Sequence, residues 1–142
     1  MLRINETFSL DGVVYRVLAS TETGVIFIDI TDTKALPEEV SFLEVEAMQA
    51  EKKLTLIPDP YLDEITSKDF IASPTALAKR DERYQLIRDL VHSKDIFIPS
   101  LRSKMINSVV RDGKTTKKTI YRLLRAYWQR GLNKDALIPR YS

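Results

Sequence analysis

With 142 residues, 44% of them hydrophobic, the chain can bury a core and suits one ordinary domain or two small ones. It has no cysteine and one histidine, His92, which excludes a disulfide framework, a thiolate zinc site and a histidine-rich metal centre, so a cytoplasmic, metal-free protein without a cofactor is expected. The net charge of +2 conceals a division: residues 1–60 carry five Lys and Arg against eleven Asp and Glu, a balance of −6, whereas residues 61–142 carry seventeen against nine, a balance of +8.

Such an asymmetry points to a nucleic acid or another polyanion as partner for the basic half alone. From Pro99 onward the contrast sharpens, with eleven basic residues opposed by Asp112 and Asp135. The start "MLRINETFSL" lacks a basic stretch leading into a long apolar run, and "VIFIDI" is far too short to span a bilayer, so no membrane partner is expected.

In chain order, "LRINETFSL" and "VVYRVLAS" are two β-rich runs separated by Asp11-Gly12, a dipeptide suited to a hairpin turn. "GVIFIDI" supplies a third strand. Ser41 is placed to cap a helix in which Phe42, Val45 and Met48, with Leu43 and Ala47, recur at helical spacing before "LTLI" returns to strand character. Residues 1–57 therefore read as a small acidic β-rich domain with one helix, suited to a structural or protein-contacting role. Residues 58–72, with two prolines and no sustained periodicity, read as a linker.

Residues 73–142 read as a basic domain of three helices. Ser73-Pro74 is a cap followed by proline at the first helical position, and Leu77, Tyr84, Ile87, Leu90 and Val91 form the buried stripe of a long helix ending near Ser93. Pro99 opens a second helix with Leu101, Met105, Ile106, Val109 and Val110 inward, ending at "RDG", where Gly113 can take the left-handed conformation. Thr116, or Thr115, caps the third, spanning about 116–130, with Ile120, Leu123, Leu124 and Tyr127 inward and Gly131 at its end. The predicted fold class is α+β: a β-rich domain with one helix, then a three-helix helix-turn-helix domain.

A recognition helix presents donors from its first turns to base edges and phosphates. Lys117, Lys118, Thr119, Tyr121, Arg122 and Arg125 meet that requirement, and Lys118, Arg122 and Arg125, spaced i, i+4 and i+7, fall in one row. Arginine can hold guanine O6 and N7 with two parallel bonds, so base readout is assigned to Lys118 and Arg122, and backbone contact to Lys114, Thr115 and Lys117. The N–H groups at the helix start, beside Thr116, favour phosphate too. A merely solvated face would mix signs, yet residues 114–134 contain no acid. Tyr127 is expected in the core, and Trp128 against a neighbouring helix rather than on a base.

No catalytic constellation is legible. Glu38-Glu39, Asp63-Glu64 and Asp81-Glu82 are local pairs that charged turns or helix starts explain, and His92 reads as a surface or dipole-favoured residue. Serine-nucleophile and glycine-rich phosphate-loop patterns are missing from a chain with four glycines, so it is not expected to be an enzyme.

"SKD" at 93–95, Pro99 with "RS" at 102–103, "TKKT" at 116–119 and, above all, "LLRAYWQRG" with "ALIPRY" resemble the N-terminal region of the TnsB-type transposases of Tn7-like elements; "YRVL" at 15–18 is similar as well. The resemblance implies a sequence-specific arm that binds double-stranded DNA at repeated sites on the transposon ends, alongside other transposition proteins. It also implies that catalysis, by an RNase H-like DDE domain with metal-binding acidic residues, lies outside these 142 residues, so no catalytic residue carries over. Lys117, Lys118, Thr119 and Arg122 fit the family pattern. Two other readings of the residues stand beside it: a protein-interaction adaptor whose basic half meets an acidic partner, and a standalone helix-turn-helix repressor, which would need a dimer to read a palindrome.

Overall fold

Two-residue hairpins require positive φ at both central positions, and Asp11 and Gly12 supply it, at 52° and 80°. The strands on either side of them pair as the sequence suggests. The computed structural model describes residues 2–61 and 72–139, and it forms two compact units: Met1–Ser67 with Trp128–Leu132, and Lys68–Tyr127 with Asn133–Ser142.

The first unit is a five-stranded antiparallel sheet of order β4-β3-β2-β1-β5, with β1 at Thr7–Leu10, β2 at Val13–Ser20, β3 at Gly24–Asp29, β4 at Glu38–Ser41 and β5 at Leu54–Ile57. The first strand is shorter than "LRINETFSL" suggests. Asn5 sits at φ 75° and the Arg3 N–H donates to Glu6 Oε1 at 2.6 Å, so a turn occupies those positions and extended pairing starts at Thr7. β4 has no strand signature in the sequence: "EEVS" has no apolar alternation, and its two glutamates are exposed on a sheet edge. Its approach to β3 depends on Gly24, where a Cβ would collide with the Val40 carbonyl.

Phe8, Val17, Val25, Phe27 and Val45 form the core of this unit. The Phe8, Tyr15 and Phe27 rings meet at centroid distances of 5.0–5.4 Å. Val45 comes from helix α1, Phe42–Ala50, whose cap is Ser41 as expected, its Oγ accepting the Glu44 N–H at 3.2 Å.

A buried cation closes the unit. Arg16 on β2 is 0% exposed and spreads its guanidinium over four acceptor groups. Nη1 and Nη2 each donate to an Asp59 carboxylate oxygen at 2.8 Å, Nη1 also reaches Asn5 O and Oδ1 at 3.0 Å, and Nε donates to Gln129 O at 3.3 Å. Gln129, within the unit's Trp128–Leu132 segment, donates its side-chain amide to the carbonyls of Asp29 at 2.9 Å and Asp32 at 2.7 Å. Of the segment read as a linker, Asp59 is thus pinned to Arg16, and the Tyr61 N–H donates to Asp59 Oδ1 at 2.9 Å; residues 62–71 lie outside the described part.

The second unit holds α2, Pro74–Val91; α3, Pro99–Arg111; most of α4, Lys117–Arg130; and two 3₁₀ turns, Lys94–Phe97 and Lys134–Leu137. Ser73 caps α2, accepting the Ala76 N–H at 3.1 Å, with Pro74 in the first turn, where its missing N–H costs nothing. Ile87 and Leu90 are buried as expected, whereas Leu77, Tyr84 and Val91 are half-buried and Ala76 takes the remaining buried place. His92 ends this helix, exposed.

On α3 only Ile106 of the five expected inward residues is fully buried; Arg102 is buried beside it, donating to Ile96 O at 3.3 Å. The 3₁₀ turn at Lys134–Leu137 is tied to α2 through Arg80, whose Nη1 reaches Asp135 at 2.7 Å, and through Lys134, 2.9 Å from Asp81. Hydrogen bonds from Lys134 and Arg80 hold the Asp81 carboxyl below its ordinary pKa.

Candidate nucleic-acid interface

Five residues, 112–116, join α3 to α4, and Gly113 at φ +78° provides the left-handed step out of α3. Thr116 then starts α4. Its carbonyl accepts the Ile120 N–H at 3.1 Å and its Oγ1 accepts the Thr119 N–H at 3.2 Å while contacting Thr119 Oγ1 at 3.1 Å. Helix geometry leaves the Lys117 and Lys118 N–H groups without intrahelical acceptors, facing the same end as the exposed cations. Thr116→Ala is expected to remove the cap and cost about 1 kcal/mol, read as a shift in denaturant midpoint, with Thr116→Ser losing little of it.

Ile120, Leu123 and Leu124 are buried, so the helix presents the opposite side outward. Lys117, Lys118 and Arg122 are exposed there, with Lys114 exposed in the turn before them. Arg125 continues the row half-buried, its guanidinium lying 5.5 Å from the centre of the Tyr121 ring, itself half-buried. These side chains are therefore grouped on one surface as the helical spacing requires.

Four of the nine expected contact residues, Thr115, Thr119, Tyr121 and Arg125, are half-buried, and the other five are exposed. The Thr115 hydroxyl is buried with no hydrogen-bond partner among the described residues, which leaves only its backbone to face a ligand. Thr119 is half-buried and its hydroxyl is engaged by Thr116. Tyr127 is half-buried rather than central, with burial first and Tyr84 second raising its phenol pKa, and the fully buried aromatic of this helix is Trp128 at 1% exposure.

Seven cations and no acid lie between residues 114 and 134. One of them, Lys134, is engaged by Asp81, so the positive surface concentrates at the N-terminal half of α4. Lys104 and Arg111 on α3 are exposed cations as well. Periodicity on α4 alone does not reveal these two, but the scarcity of acid from Pro99 onward does. Among the described residues, no group of three or more His, Cys, Asp or Glu is placed to hold a metal ion, and no helix is long and apolar enough to cross a membrane.

Comparison with known proteins gives two family matches along the chain. Residues 1–60 match the family described as the TnsB N-terminal SH3-like domain, and residues 80–141 match the TnsB second domain. The whole chain is 37% identical over 142 residues to the transposon Tn7 transposition protein TnsB of Escherichia coli, and it spans 20% of the length of that relative.

Proposed function

Because the chain belongs to the TnsB family, in its N-terminal SH3-like and second domains, we propose that it binds double-stranded DNA sequence-specifically at the ends of a transposon, with α4 in the major groove. The observation that carries this reading is the acid-free cationic surface at the start of α4, where Lys114, Lys117, Lys118 and Arg122 stand exposed around uncapped helix N–H groups. Lys118 and Arg122, one turn apart on the outer face, read base edges. Lys114, Lys117 and the two N–H groups hold phosphates, fixing the register in which the bases are read. Arg125, braced on Tyr121, reinforces the far end of the row.

The whole-protein activity follows the same proposal: this region supplies DNA recognition, and DNA joining is performed by other parts of a longer transposase. Selection of bound duplexes from a random library at near-physiological salt tests the reading, with one enriched motif as the expected result. Arg122→Ala is expected to cost about 1 to 3 kcal/mol of affinity and to relax the motif at one position, whereas Lys114→Ala weakens cognate and random duplexes alike. Equal losses on both duplexes for both variants would remove Arg122 from base readout. A library with no enriched motif would reduce the surface to nonspecific phosphate binding.

A further inference from the structure

A helix lying on a sheet normally has one apolar face toward the core and a polar face toward water. α1 does not. Val45 is its buried residue, and on the side away from Val45 the residues spaced i, i+4 and i+7, Leu43, Ala47 and Ala50, make a second apolar row. All three are exposed, and Leu43, at 79%, is the most open large hydrophobic among the described residues.

Carboxylates line both sides of that row. Helical spacing puts Glu46 on one flank and Glu44 on the other, both exposed, with Glu51 beyond Glu44 and engaged by Lys53 at 3.0 Å. No basic residue occurs in sequence between Lys34 and Lys52. An apolar stripe between two acidic flanks complements a segment with the inverse pattern.

We propose that the outer face of α1 docks an amphipathic helical segment of a separate protein, with an apolar row seated on Leu43, Ala47 and Ala50 and Lys or Arg residues beside it facing Glu44 and Glu46. DNA is not the occupant, since phosphates would meet carboxylates. A second copy using this same face would set Glu44 and Glu46 against their own counterparts. Nor does another copy offer the inverse pattern on its basic helix, because Ile120, Leu123, Leu124 and Trp128 of α4 are buried. The proposal is independent of DNA recognition by α4.

The test titrates the full 142-residue chain with three synthetic helical peptides: Lys/Leu amphipathic, Lys/Ser of equal charge without the apolar row, and Glu/Leu amphipathic. Backbone amide shifts report the site, and fluorescence anisotropy of labelled peptide reports affinity. The Lys/Leu peptide is expected to bind saturably with shifts confined to residues 42–51, at least tenfold more tightly than either control. Leu43→Ser and Glu46→Lys should each weaken it by tenfold or more; both positions are exposed, and retained thermal stability of the variants establishes that folding is intact.

Equal affinity for Lys/Leu and Lys/Ser peptides, shifts located on α4, or indifference to Leu43→Ser would overturn the proposal. So would a concentration-dependent dimer in sedimentation that Leu43→Ser dissolves, because the face would then belong to a second copy. DNA binding is expected to be unchanged in Leu43→Ser, so failure of the peptide experiment and failure of the DNA reading show up in different measurements.

Discussion

Affinity for cognate duplex is expected to fall about a thousandfold when monovalent salt rises from about 50 to about 200 mM. Six exposed cations, Lys104, Arg111, Lys114, Lys117, Lys118 and Arg122, lie along α3, the turn and the start of α4. If each neutralises one phosphate, counterion release gives a slope of log affinity against log salt of about −5. Anisotropy titrations at four or five salt concentrations measure it. A slope near zero would mean that the surface does not meet a phosphate backbone and would sink the DNA reading. Charge-removing variants refine the count, since deleting a cation that neutralises a phosphate should flatten the slope by about 0.9. Lys134→Ala is the control: its ammonium is already committed to Asp81, so the slope should stay where it was.

Arg16→Met is expected to destabilise the first unit by about 3 kcal/mol, the lower end of the cost of breaking a buried ion pair, because Asp59 keeps 21% of its side chain exposed. Methionine fills the space but leaves Asp59, both Asn5 oxygens and the Gln129 carbonyl without their common donor. Arg16→Lys should recover only part of the loss, since an ammonium cannot match the paired bonds to the Asp59 carboxylate. Urea midpoints of the three proteins measure it. An unchanged midpoint in Arg16→Met would show that the pair contributes no net stability.

The acid limb of stability carries a matching signature. Burial raises the Asp59 pKa, but the hydrogen bonds from Arg16 and from the Tyr61 N–H, together with the Arg16 charge, outweigh it and leave the carboxyl below its ordinary value. A depressed carboxyl stabilises the fold above its unfolded pKa of about 4 and loses that contribution as pH falls through the lower folded value. In Arg16→Met the lowering contribution of the guanidinium is gone, so stability should depend less on pH below about 4 than in the parent.

Much of this molecule is legible along the chain because its signals are local. Asp11-Gly12, Ser41, Ser73-Pro74, Gly113 and Thr116 each place a turn or a cap through bonds or φ values a few residues away. The cationic row on α4 is legible for the same reason, since a helix brings Lys118 and Arg122 together by its own repeat. What the residues alone do not decide is the fate of individual side chains. Thr115 and Thr119 are as polar as Thr116, and whether a hydroxyl faces solvent, caps a helix or is buried depends on the backbone around it.

Charge, caps and helical period therefore indicate the class of the fold and the helix that carries the cationic row, because each is encoded within a few residues of itself. The long-range pairings belong to the folded chain. Nothing local in the sequence marks Arg16: 43 residues separate it from Asp59 and 113 from Gln129, and it is buried where all three meet. The β4 edge depends likewise on Gly24 giving way to the Val40 carbonyl. Both arise from distant segments packed against one another, a contact for which no local periodicity or propensity carries a signal.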